Sequence, residues 1–174
     1  MRAVRSALTL AVLASLAAPA MAADTTTFNV RIIITKACTI TAATATDVDF
    51  GSVLSTSTTQ ADAQGSITAQ CTALTPYTIA LSAGANAATA NDVTTRRMRN
   101  IDTAVTTNNF IGYQLYSDAS RTQVWGSTAG TNTVAGVGNG LNQPYPVYGR
   151  VANPSVNNAA TGSYLDTITA TITY

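Results

Sequence analysis

Histidine and glutamate are absent from this 174-residue chain, lysine occurs once, at Lys36, and cysteine twice, at Cys38 and Cys71. Without histidine there is no Ser-His-Asp arrangement and no imidazole to move protons or bind metal. The eight acidic side chains are all aspartates, scattered along the chain. The chain is therefore expected not to be an enzyme and to need no cofactor or metal. A redox or metal role for the cysteines is disfavoured in the same way, because they form no Cys-x-x-Cys pair.

Charge is also scarce, at 10% of residues, so the polar surface must come from Thr, Ser, Asn and Gln. A surface so poor in charge is unusual for a free monomer and suits a protein whose flanks are covered by neighbours. Long hydrophobic runs are missing after residue 22, so no membrane insertion is expected. Residues 1–22 carry Arg2 and Arg5, an uncharged stretch from Ser6 to Ala18, and Pro19-Ala20-Met21-Ala22. This is the order of a secretory signal peptide, with cleavage expected after Ala22. The remaining 152 residues make one domain with seven basic and eight acidic side chains, a balance that gives nucleic acid no electrostatic hold. In the oxidising compartment such a signal leads to, pairing of Cys38 with Cys71 is the default reading.

What is abundant is alternation. Phe28, Val30, Ile32 and Ile34 fall on one side of an extended segment, with Asn29, Arg31, Ile33 and Thr35 on the other, which predicts a strand. Ser66 to Cys71 repeats the pattern with Ile67, Ala69 and Cys71 on one face, and Tyr77 to Leu81 follows Pro76. Further strands are expected over Arg97–Ile101, Phe110–Tyr116, Gln123–Trp125, Pro146–Val151 and Tyr164–Tyr174, while Gly84–Thr89 and Ser127–Asn142 read as surface loops. Short strands at this spacing, with no helical period after Ala22, predict an all-β, immunoglobulin-like antiparallel sandwich. The last run keeps Ile168, Ala170, Ile172 and Tyr174 on one face, as in a core strand. About six such strands leave a seven-stranded sandwich one short unless the N-terminal segment supplies the missing one.

Three constellations invite other chemistry. Asp47 and Asp49 are two apart and read as a solvated strand edge rather than a cation site. Arg96, Arg97 and Arg99 read as charges guarding an edge against mispairing. Gly136-Val137-Gly138-Asn139-Gly140 lacks the third glycine of a dinucleotide loop, has no Lys-Ser/Thr and opens no helix, so it reads as a flexible loop.

Taken in order, Lys36-Ala37-Cys38-Thr39-Ile40, Asp49-Phe50-Gly51, the Cys71 strand, Pro76 to Leu81 with Gly84, and Arg97-Met98 form a recognisable series. It continues with Tyr113 to Asp118, Trp125-Gly126, Val147-Tyr148-Gly149-Arg150 and Gly162 to Thr167. The series resembles the spore coat protein U-like domain of Csu-type archaic chaperone-usher pilins. The resemblance implies a pilin fold lacking its final strand and completed by donor-strand complementation. Its partners would be a periplasmic chaperone, an outer-membrane usher, and other pilin subunits in a homo- or hetero-polymer. Residues 23–34 would then be the donor-strand extension, with Phe28, Val30, Ile32 and Ile34 as inserted side chains. Residues 35–174 would be the pilin domain, with Ile168, Ala170, Ile172 and Tyr174 on the strand that faces the chaperone. The implied role is a structural subunit of a secreted surface pilus, or fimbrium, serving cell adhesion and biofilm formation. Two other roles compete: a spore-coat or capsule-like surface protein of the same fold, and a carbohydrate-binding adhesive module in which Trp125 and exposed tyrosines are stacking platforms.

Overall fold

The computed structural model describes residues 23–43 and 46–174, so the signal peptide expected over residues 1–22 lies outside the described residues. Ten strands follow in order: β1 (Cys38–Thr41), β2 (Ala61–Cys71), β3 (Pro76–Leu81), β4 (Arg97–Asn100), β5 (Phe110–Gly112), β6 (Gln114–Tyr116), β7 (Val134–Val137), β8 (Asn142–Val151), β9 (Tyr164–Leu165) and β10 (Ala170–Thr173). All pairings are antiparallel. Two sheets, ordered β1-β2-β8-β6 and β10-β3-β7, enclose the core, and a third, β5-β4-β9, completes the set.

The period of two decides which side chains enter the core. Ile67, Ala69 and Cys71 of β2 are buried, as are Tyr77, Ile79 and Leu81 of β3, and they meet Leu115, Trp125 and Val147 between the sheets. Cys38 stands opposite Cys71 in the β1–β2 register, Cα atoms 4.1 Å apart, and the two form a disulfide. Two glycines interrupt the inner face of the first sheet for a packing reason. A Cβ at Gly65 would strike the backbone of Thr46 to Val48, and one at Gly149 would strike Val48 and Phe50, so the glycines admit residues 46–50 directly onto the sheet.

Several expectations from the sequence are corrected. The run Ser127–Asn142 is not all loop, because β7 lies inside it and β8 starts at its end. Two of its glycines are packing residues: a Cβ on Gly136 would strike the Tyr77 ring and the Tyr145 hydroxyl, and one on Gly138 would strike Thr72 and Cys71. Strand β8 extends back through Pro144 and Pro146; on the side away from β2 it is covered by β6 only from Tyr148 to Arg150, so a missing N–H there breaks no ladder. Phe110–Tyr116 divides at Tyr113, the chain passing from the third sheet to the first, and Gln123–Trp125 contributes only a bridge from Val124 to Tyr116. Tyr164–Tyr174 likewise divides into β9 and β10.

The edge reading of the arginines fails, since β4 is the central strand of its sheet. Arg96 is buried at 2% exposure, and Arg97 lies 3.7 Å over the Phe110 ring. The strand count misleads as well: the two facing sheets already hold seven strands, and the vacancy shows instead in which edges are left unpaired. Residues 27–36 form no strand and have no sheet partner among the described residues, although their alternation is strand-like. Alternation marks a face to bury, while a strand needs a neighbouring backbone as well. Phe28, Val30, Ile32 and Ile33 are each more than 80% exposed, and Ile34 is 71% exposed.

Candidate functional site

Among the described residues strand β1 pairs only with β2, and β10 only with β3, so each presents one free edge. Where the second sheet of an immunoglobulin-like sandwich runs C-F-G, this one runs β3-β10 and stops, with β7 added on the far side of β3. Between the two free edges lies a cleft of about 520 Å³. Ile40 with Thr46, Val48 and Phe50 forms one wall, Ile168 and Ala170 the other, and Ile67, Leu81, Leu115 and Val147 the floor. Cys38 and Ile172 pack on the core beyond the end of the cleft marked by Ile40 and Ala170. Alternation places Ile168, Ala170 and Ile172 half-buried on the inner face, with Thr169, Thr171 and Thr173 exposed; Tyr174 is 54% exposed. The predicted inward face of the C-terminal run is thus present for its first three members.

The far end of the cleft is polar but internally satisfied. Tyr113 donates its hydroxyl to Asp166 Oδ2 at 2.7 Å, and Asp166 Oδ1 accepts from the backbone and side-chain nitrogens of Asn86, each at 3.0 Å. Gly84, at φ +90°, makes room for this carboxylate, because any Cβ there would overlap it. Burial and the bond to Asp166 push the Tyr113 phenol far above its ordinary range. Beneath, the Arg96 guanidinium donates to the carbonyls of Leu81 and Ser82 and, at 2.7 Å, to Gln114 Oε1. Burial pulls it down to about 10, offset in part by Tyr113 and Asp166, which leaves it charged at neutral pH. Among the described residues no buried side-chain nitrogen or oxygen lacks a partner and no cluster suits a metal ion. An apolar trough with a satisfied polar end can hold a chain.

The other candidate residues are placed differently. Trp125 is 1% exposed and donates its indole N–H to the Ile79 carbonyl at 3.0 Å, which removes it as a stacking platform. Asp47 and Asp49 are exposed, Asp49 capping a turn by accepting from the Gly51 amide at 2.8 Å. Sequence reasoning missed Tyr113, Asp166 and Arg96 as a unit; their only signal was polar residues embedded in apolar runs.

Comparisons with known proteins place this geometry. The chain is 39% identical over 112 residues to protein U of Myxococcus xanthus, covering 63% of this chain and 59% of that protein. Among solved structures it resembles the CsuC–CsuE chaperone–tip adhesion subunit pre-assembly complex from the archaic chaperone-usher Csu pili of Acinetobacter baumannii. The TM-score is 0.57 and the identity 22%, over 81% of this chain and 40% of that one, a likeness of fold. The chain therefore spans about three fifths of the length of the first of these relatives and two fifths of the second. The Spore Coat Protein U domain model matches residues 24–171, and with it the chain belongs to that family of structural, non-enzymatic proteins.

Proposed function

We propose that the chain is a structural subunit of a chaperone-usher surface pilus, carried through the periplasm and polymerised by N-terminal donor-strand exchange, in fibres that serve adhesion and biofilm formation. The observation that carries this reading is a complementary pair within one sequence: an apolar cleft between two unpaired strand edges, and an exposed extension alternating Phe28, Val30, Ile32 and Ile34. Each half is costly alone, because exposed apolar area and unpaired backbone groups both favour capture by a passing strand. Inserting the extension into the cleft of another subunit relieves both at once, at about 1.5 to 3 kcal/mol per buried side chain before the cost of ordering the segment. Strand addition by a pilin chaperone is itself an established mode of recognition, and the free edge of β10 is where a lent strand would pair before exchange.

The test is fibre formation. A protein truncated before Val30 keeps the cleft and the chaperone, caps growing fibres and does not extend them. Val30→Asp acts in the same way, because a carboxylate cannot enter the trough without a large desolvation cost, whereas Asn29→Asp assembles normally. Long fibres from the truncated protein, seen by electron microscopy and as a heat-resistant ladder on a gel, would remove donor exchange. The family's description favours one second reading, a coat protein of this fold that assembles without chaperone or usher. Accumulation of soluble subunit in a periplasm lacking any such chaperone would select it.

A further inference from the structure

An extension that fits a neighbour's cleft also fits its own, and one side chain decides between the two. Residue 37 continues the β1 register, standing opposite Thr72 just beyond the Cys38–Cys71 pair. The Thr72 amide donates to the Ala37 carbonyl at 2.9 Å, and the Ala37 amide donates to Thr72 Oγ1 at 3.1 Å. The same hydroxyl is shared between the carbonyls of Ala37 and Thr35, at 3.3 and 3.4 Å. Residues 35–37 are therefore held straight, in line with β1 and next to the Cys38–Cys71 pair.

Self-closure needs the opposite. For residues 28–34 to lie beside β1 with Phe28, Val30, Ile32 and Ile34 facing inward, they must pair with Cys38 and Ile40 in even register, because a slip of one residue turns every side chain outward. A reversal through Thr35, Lys36 and Ala37 sets Ile34 opposite Cys38, Ile32 opposite Ile40 and Val30 opposite Ala42, filling the trough. A reversal completed before the clamped stretch begins, through Ile32 to Ile34, brings only Phe28 as far as Cys38. Full insertion in cis thus requires the residues that Thr72 holds extended.

We propose that Thr72 is a positioning residue: by holding residues 35–37 in line with β1 it opposes the reversal that self-closure needs, so that the cleft is left for the extension of a second copy of this chain and the subunit polymerises. This rests on the donor-strand reading, and the experiment separates the two. The full mature chain, disulfide intact, is refolded from denaturant over a range of concentrations and resolved by gel filtration and unheated gel electrophoresis. Wild type and Thr72→Ser, which keeps the hydroxyl, give a ladder that grows with concentration. Thr72→Val, which keeps the shape and loses the hydroxyl, leaves about tenfold more chain as folded, heat-resistant monomer, independent of concentration, as expected when one or two hydrogen bonds are removed from one side of an equilibrium. A Thr72→Val protein with the wild-type ratio of monomer to ladder overturns the clamp. If Thr72→Val does not fold, insertion of three glycines between Lys36 and Ala37 decides, since it supplies a free reversal with Thr72 intact: a raised monomer fraction supports the clamp and an unchanged ladder refutes it. Val30→Asp reports on the underlying reading alone, because a ladder undiminished by that substitution removes donor exchange whatever Thr72 does.

Discussion

At the scale of single residues, a few polar side chains set the shape of the apolar cleft. Arg96 directly follows the 3-10 turn Val93–Thr95, and its fork ties the end of β3 to Gln114 of β6 across the sandwich. Replacing it with Met leaves the carbonyls of Leu81 and Ser82 without their buried donor, and a loss of about 3 kcal/mol is expected in urea unfolding. Arg96→Lys recovers only part of it, because an ammonium cannot span a planar fork. Asp118 organises the loop after β6 by accepting from Ser120 Oγ, the Gln123 amide, and the Thr122 amide and hydroxyl. Those bonds, led by that from Ser120, hold its carboxyl well below the usual carboxylate range. A folded pKa below the unfolded value of about 4 means stability present above pH 4 and lost as pH falls below it. Asp118→Asn is accordingly expected to flatten the acid side of the stability profile, read as the difference in urea midpoint between pH 7 and pH 3.

At the scale of elements, β10 is both a core strand and an open edge. Ile172 packs on the core while Thr171 faces out, so one strand offers a matched pair of tests. Ile172→Asp forces a carboxylate against Ile79, its partner across the β10–β3 ladder, and is expected to cost about 2 to 4 kcal/mol and to abolish periplasmic accumulation. Thr171→Asp leaves yield and urea midpoint within about 0.5 kcal/mol of wild type, as for exposed substitutions generally. Strand β7 depends on a missing side chain instead. Gly136→Val drives a branched group into the Tyr77 ring and the Tyr145 hydroxyl, which lies 2.6 Å from that of Tyr77, and is expected to lower the melting temperature and broaden the near-ultraviolet tyrosine signal.

At the scale of the whole molecule, the disulfide belongs to the cleft as much as to the core. It fastens β1, a strand of only four residues, to the long β2, and β1 is one of the two walls. Closing a loop across a sequence separation of 33 contributes about 3 to 4 kcal/mol in the chain-entropy account. Cys71→Ser is expected to lower the unfolding free energy by that amount and to cut secreted yield, and the native wild-type protein is expected to take up no thiol label until reduced. A reduced protein that folds and assembles as well as the oxidised one would show that β1 needs no fastening.

Wherever a side chain's role follows from the period of two, the sequence alone determined it. Ile67, Ala69 and Cys71, then Tyr77, Ile79 and Leu81, then Ile168, Ala170 and Ile172 all declare their face by alternation, and a period of two with no helical repeat leaves an antiparallel sandwich. The opposition of the two cysteines followed from one such face and an expected oxidising destination. What only the tertiary structure decided is which backbone lies beside which. Alternation is identical in a paired strand and in residues 28–34, so the sequence cannot say that the first has a neighbour and the second has none. Local pattern is likewise silent on whether Arg96 turns under a sheet while Arg99 turns out, on whether Trp125 is a platform or a core residue, and on whether Gly136 bends a loop or admits a ring. Each of these depends on atoms distant in sequence, and so does the cleft, which exists because the edges of β1 and β10, more than a hundred residues apart in the chain, are brought face to face with no strand between them.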